Sequence, residues 1–129
     1  MNYLEFDQRS PVYLQVIRWF KERIATGEFV GGQEIPSRRA LAAELGINPN
    51  TAQKVYKEME EQQLITTERN VPSRITTDPQ VVERVRSELL SEAVAQFVTA
   101  VQAIQVPLDE VMSTVQNVYQ TNERGELDA

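Results

Sequence analysis

Residues 35–65 read IPSRRALAAELGINPNTAQKVYKEMEEQQLI, and this stretch decides the fold. Two short helical patterns lie on either side of a tight break. In the first, Ser37 stands where an N-cap hydroxyl is wanted, Leu41, Ala42 and Leu45 share one face, and Gly46 supplies a left-handed stop. In the second, Asn48 is the cap and Pro49 takes the first helical position, where its missing N–H costs nothing. Ala52, Val55, Tyr56 and Met59 then recur at i, i+3, i+4 and i+7 as a buried stripe. Two helices held at a fixed angle by a turn of about four residues make a helix-turn-helix, which offers its second helix to the major groove of DNA. The face opposite the stripe carries Asn50, Thr51, Gln53, Lys54 and Lys57, all able to bond base edges or phosphates.

Upstream, Ser10 and Pro11 repeat the cap-then-proline device, and Tyr13, Val16, Ile17, Phe20 and Ile24 form the stripe of a helix that Gly27 ends. Trp19 lies off the centre of that stripe and reads as a partly buried aromatic at the edge of the core rather than a ligand contact. The segment GEFVGG, residues 27–32, reads as a connecting turn. Downstream, residues 64–67 and 74–77 are rich in Ile and Thr and flank a tip at 68–73, the pattern of a two-stranded wing.

Asp78 and Pro79 open a further helix, expected to run to about Gln105. Its apolar residues fill two neighbouring stripes: Val82, Val85, Leu89, Ala93, Phe97, Val101 and Ile104, with Leu90, Val94 and Val98 beside them. Pro107 breaks the chain, and Leu108, Val111, Met112, Val115, Val118 and Tyr119 mark a last amphipathic helix. So wide an apolar face exceeds what a surface helix of a small monomer exposes. A second copy of the chain is the simplest cover. The interface residues expected are Leu89, Leu90, Val94, Phe97, Val98, Val101, Val111, Met112, Val115 and Tyr119. The fold class is mainly α: a winged helix-turn-helix domain over 1–77, a two-helix dimerisation segment over 78–122, and a flexible polar tail over 123–129.

With 129 residues the chain buries one good core or a small domain with a helical appendage. It has no cysteine and no histidine, which removes disulfides, zinc clusters, thiol nucleophiles and the usual neutral-pH general base. Catalytic and metal sites are expected to be absent, and no cofactor is implied. The acidic pair Asp109 and Glu110 falls in a first helical turn, where carboxylates favour the helix dipole, and neither it nor Glu58, Glu60 and Glu61 has a partner base in the pattern. No apolar run approaches a membrane span and the opening MNYLEFDQ is unlike a signal peptide, so a cytoplasmic location is expected. The net charge of −6 is unevenly spread. Residues 1–77 carry 10 bases against 10 acids and residues 78–129 carry 3 against 9, so the acid sits in the C-terminal part. A locally basic face on an acidic whole still binds DNA, with weak long-range attraction and steep salt dependence.

Taken in order, Pro36, Ser37, Arg39, Leu41, Ala42, Leu45 and Gly46, followed by Leu64 and Ile65, resemble the motif of the GntR family of bacterial transcription regulators. The run Ile47, Asn48, Pro49, Asn50, Thr51 with the later Tyr56 resembles the YtrA-like subfamily. The resemblance covers roughly residues 11–76 by motif. It implies a winged-helix domain, a homodimer on double-stranded DNA with an inverted-repeat operator, and repression, often near transporter genes. It also implies a DNA contact from Arg39. The wing departs from the family pattern: Asn70, Val71 and Pro72 stand where G-x-G is typical, Arg74 stands where an aromatic is common, and Gln63 replaces the glycine before Leu-Ile.

The candidate DNA contacts are Ser37, Arg38, Arg39, Asn48, Asn50, Thr51, Gln53, Lys54, Arg69 and Arg74. Asn50 and Gln53 suit adenine, Thr51 a thymine methyl or a phosphate, and Lys54 a phosphate or guanine. Ser37 combines a capping role with a place near a phosphate. Two other uses stay open at this level. One is a winged helix serving as a protein-interaction module. The other is a small-molecule sensor whose pocket between the C-terminal helices is lined by Phe97, Val101, Met112 and Tyr119; no effector is named by the sequence.

Overall fold

The computed structural model describes residues 4–125, along which five helices and one two-stranded sheet follow in order. They are α1 (Val12–Thr26), α2 (Arg38–Leu45), α3 (Pro49–Glu61), β1 (Ile65–Thr66), β2 (Arg74–Ile75), α4 (Pro79–Ala103) and α5 (Leu108–Glu123). The chain divides into a unit ending at Leu90 and a second beginning at Ser91.

In the first unit, α1 starts one residue later than its sequence signals suggest. Pro11 is itself the N-cap, with extended ψ of 143° and no side-chain cap bond. Its carbonyl accepts from the N–H groups of Leu14 and Gln15. The Gln15 amide does the remaining work of fixing the entry: it donates to the carbonyls of Asp7 at 2.9 Å and Ser10 at 2.8 Å, and accepts from the Asp7 N–H at 3.0 Å. Val16, Ile17, Phe20 and Ile24 are buried as their spacing requires, and Gly27 closes the helix at φ 80°. Trp19 lies deeper than expected, only 4% exposed. Phe29, from the segment read as a simple turn, meets its ring edge-on at 5.5 Å, Phe20 does so at 5.2 Å, and the Arg23 guanidinium lies 4.7 Å from the ring centroid.

The motif helices follow their signals closely. Ser37 Oγ accepts from the Ala40 N–H at 3.1 Å, Gly46 takes φ 65°, and Asn48 Oδ1 accepts from the Asn50 N–H at 2.8 Å. Three residues, 46–48, separate the two helices. Helix α3 packs on both α1 and α2, burying Ala52, Val55, Tyr56 and Met59. The Tyr56 phenol donates to the Pro36 carbonyl, which ties the middle of α3 to the entry of α2. Burial pushes its pKa well above the usual tyrosine range, with the Arg38 charge opposing that rise and Glu44 adding to it.

At the end of α3 the chain reverses through a Schellman arrangement. The Leu64 N–H donates to Met59 O at 2.9 Å and the Gln63 N–H to Glu60 O at 3.0 Å. Gln63 occupies the left-handed position at φ 64°, where glycine is usual. From α4, Arg84 donates to the Gln62 carbonyl, placing a cation at the negative end of the α3 dipole.

The wing is shorter than its Ile/Thr pattern suggests, with Ile65 opposite Ile75 and Thr66 opposite Arg74. It also has a neighbour that the sequence did not announce. Glu34 forms an antiparallel bridge to Arg74, the Gly32 N–H donates to Ile75 O at 2.9 Å, and the Ile35 N–H donates to Ser73 O at 3.0 Å. Residues 32–35 thus cover the outer edge of β2, satisfying groups that would otherwise be left unpaired.

Helix α4 opens with Asp78 Oδ1 accepting from the Gln80 N–H at 2.9 Å. Its first turns belong to the winged-helix core: Val81 and Val85 are buried in the same cluster as the α1 and α3 residues, and Val82 and Leu89 pack against it. The compact unit therefore extends past the 1–77 boundary to Leu90. Leu89, expected at a dimer interface, is half-buried against that core.

In the second unit, α4 ends at Ala103, two residues short of expectation, and Gln105 takes φ 58° in the turn that leads to Pro107. Pro107 is the N-cap of α5, and Asp109 and Glu110 occupy its first turn. Glu123, placed in the tail by sequence, is the last residue of α5; residues 126–129 lie outside the described range. Among the described residues no helix is long and apolar enough to cross a membrane.

Candidate nucleic-acid interface

The face of α3 opposite its buried stripe holds the candidate contacts. Asn50, Gln53, Lys54 and Lys57 are exposed and Thr51 is half-buried, while Asn48 engages its side chain in capping. Because Pro49 and the Asn48 cap fix the first turn, Asn50, Thr51 and Gln53 project from a backbone set by packing on α1 and α2. Lys54 is less free than its position suggests. Its ammonium lies 3.8 Å from the centroid of the half-buried Tyr13 ring on α1, a cation–π contact that orients the side chain without neutralising it.

The four candidate arginines separate into two kinds. Arg39, at the start of α2, and Arg69, at the wing tip, are exposed and have no ion pair among the described residues. Arg38 turns inward: its guanidinium bonds Glu60 at 2.7 Å and lies 5.2 Å from the Tyr56 ring centroid. Arg74 is tied to residues 32–34, donating to Glu34 at 2.8 Å and to the Gly32 carbonyl at 3.0 Å. Neither engagement could be read from the sequence, because both partners are distant in the chain and one lies in a segment with no strand signal.

The wing tip resolves the substitution of glycine. The Val71 N–H closes a turn onto Glu68 O at 3.2 Å, and Asn70 takes the position that requires positive φ, at 63°. Asn tolerates that conformation better than other non-glycine residues. Pro72 follows outside the turn with ordinary φ, so the tip is formed without the glycine pair and presents Arg69 and the exposed Val71.

Residues 12–75 match the model of the gntR family of bacterial regulatory proteins. The chain is 27% identical over 111 residues to an uncharacterised HTH-type transcriptional regulator, YhcF, of Bacillus subtilis, spanning 86% of this chain and 92% of that one. It is 41% identical over 66 residues to the HTH-type transcriptional repressor YtrA of the same organism, spanning 50% of this chain and 51% of that one. Among solved structures, a GntR family transcriptional regulator from Listeria monocytogenes superposes with a TM-score of 0.80 at 27% identity, covering 87% of this chain and 98% of that one. Their common ground is the regulation of transcription. With its capped helix-turn-helix, two-stranded wing and appended helix pair, the chain belongs to the GntR family of bacterial transcription regulators and is YtrA-like within it.

Proposed function

We propose that the chain is a cytoplasmic, sequence-specific repressor that binds an inverted-repeat operator as a homodimer. The observation that carries the DNA part is the solvent-facing row of Asn50, Gln53 and Lys54 on a helix whose other face is fully buried. In this reading α3 enters the major groove, Asn50 and Gln53 read base edges, and Arg39, Lys54 and Arg69 hold phosphate or the minor groove. Ser37 and Asn48 act through the caps that fix the two helix starts. Repression is supported by likeness to a relative named as a repressor. Control of transporter genes rests on the subfamily resemblance alone.

Dimerisation is supported by the second unit, where Val94, Phe97 and Val98 of α4 and Met112, Val115, Val118 and Tyr119 of α5 are all more than a third exposed. Ala93, Val94, Phe97, Thr114, Val115 and Val118 line an open, almost wholly apolar groove of about 380 Å³ between the two helices. Its polar lining is too sparse to orient a polar effector, which favours a second copy over the sensor reading. Two copies would give the twofold symmetry that an inverted repeat mirrors. Selection of bound sequences from a random DNA pool tests the whole reading. A twofold-symmetric consensus is expected; recovery of no enriched sequence at low salt would favour the protein-interaction module.

A further inference from the structure

The two strands of the wing pair with each other over only two residues each, Ile65 opposite Ile75 and Thr66 opposite Arg74, and residues 32–35 brace the β2 side alone, as far as Ser73. Beyond them lies the tip that displays Arg69. What restrains it on the α3 side is a chain of side-chain bonds at its base. Thr67 Oγ1 bonds Glu60 at 3.1 Å and Ser73 Oγ at 2.8 Å, spanning the two residues where the strands leave off. The same Glu60 oxygen accepts from Arg38 at 2.7 Å. A carboxylate only accepts, so the Thr67 hydroxyl donates to Glu60 and the Ser73 hydroxyl must donate to Thr67. The order of donors is thereby fixed from the buried Ser73 through Thr67 to Glu60, with Arg38 donating to the same carboxylate oxygen.

We infer that Glu60 is a positioning residue for DNA binding: it locks the base of the wing to the recognition helix and so sets where Arg69 meets DNA. This rests on the reading of α3 and the wing as the DNA-binding surface. Arg38 serves the same lock. It holds Glu60 in place from the start of α2, and the Tyr56 ring beneath it limits where its guanidinium can go. Four elements (α2, α3 and the two sides of the wing) are joined through one carboxylate.

The inference makes a prediction opposite in sign to simple electrostatics. Removing a carboxylate near DNA, and releasing an arginine with it, should strengthen binding if charge alone mattered. If Glu60 positions the wing, Glu60→Ala weakens specific binding about five-fold and lowers the salt slope by about 0.9, the share of one phosphate contact. Thr67→Val cuts the same chain while leaving the Arg38–Glu60 pair and all charges intact, and should reproduce the loss.

The experiment is a salt series of operator binding by the full chain, on the selected consensus, for wild type, Glu60→Ala, Thr67→Val, Arg69→Ala and Thr67→Val with Arg69→Ala. The expected result is that Thr67→Val costs affinity in the wild-type background and almost nothing once Arg69 is gone. Additive losses, or tighter binding by Glu60→Ala, overturn the inference. Glu60→Gln keeps an acceptor for Thr67 and should recover most of the affinity; a loss as large as that of Glu60→Ala would also overturn it. Wild type that binds no DNA at low salt refutes the DNA-binding reading itself, whereas binding by wild type with every single variant unchanged refutes only the role of Glu60.

Discussion

Replacing Gln63 by glycine should stabilise this protein, and the gain can be worked from the backbone. Gln63 sits at φ 64° in the reversal that ends α3, with its N–H bonded to Glu60 O and that of Leu64 bonded to Met59 O. Holding a residue with a Cβ in the left-handed region costs about 1–2 kcal/mol. Glycine removes that strain but loses more chain entropy on folding, by roughly 0.5–1 kcal/mol. The net gain expected for Gln63→Gly is about 0.5–1 kcal/mol, which at a typical urea dependence moves the midpoint by a few tenths molar. Trp19, the single tryptophan and buried against Phe20 and Phe29, reports the transition by fluorescence at one fixed protein concentration. Two controls isolate the cause. Gln63→Ala keeps the Cβ and should gain nothing, while Asn70→Gly, at φ 63° but starting from a residue that tolerates this region, should gain much less than Gln63→Gly. A midpoint that fails to rise for Gln63→Gly, or that rises equally for Gln63→Ala, would refute the account.

Tyr56→Phe should lose about 1 kcal/mol through the orphaned Pro36 carbonyl, and the deficit should shrink at high pH. The folded phenol titrates above the unfolded value near 10, so the native state keeps its proton longer; the stabilisation is complete below that value and falls as pH rises beyond it, a loss that Phe cannot suffer. Urea midpoints at pH 7 and above pH 10 check both parts. Phe97→Asp puts a charge on the apolar groove of the second unit and should turn the expected homodimer into a monomer in sedimentation; a wild-type monomer at micromolar concentration would sink the dimer proposal. Arg39→Ala should weaken specific and nonspecific DNA alike and reduce the salt slope by about one, whereas Gln53→Ala should relax preference at one base pair by roughly 1–3 kcal/mol, both read from filter binding across salt.

What could be read from the chain alone was whatever depends on near neighbours in sequence. Caps and stops are of this kind: Ser37, Asn48 and Asp78 bond N–H groups two or three residues on, and Gly27 and Gly46 turn left-handed within their own helix ends. The stripe of Ala52, Val55, Tyr56 and Met59 follows from the helical repeat, and all four are buried. The motif was therefore legible, and with it the candidate surface of α3.

Tertiary structure decided what depends on residues far apart. Trp19 is in the core because Phe29 closes over it, and nothing in the local repeat around Trp19 announces Phe29. Residues 32–35 lack a β pattern yet bond β2, since a strand edge is satisfied by any backbone brought beside it. Val82, Val85 and Leu89 lie on one apolar stripe with Phe97, and periodicity cannot mark where along a stripe the covering surface changes. The arginines show the same limit most plainly. Arg38, Arg39, Arg69 and Arg74 are equivalent cations in a sequence, but a guanidinium goes to the nearest favourable oxygen in space, and only the fold brings Glu60 to Arg38 and Glu34 to Arg74.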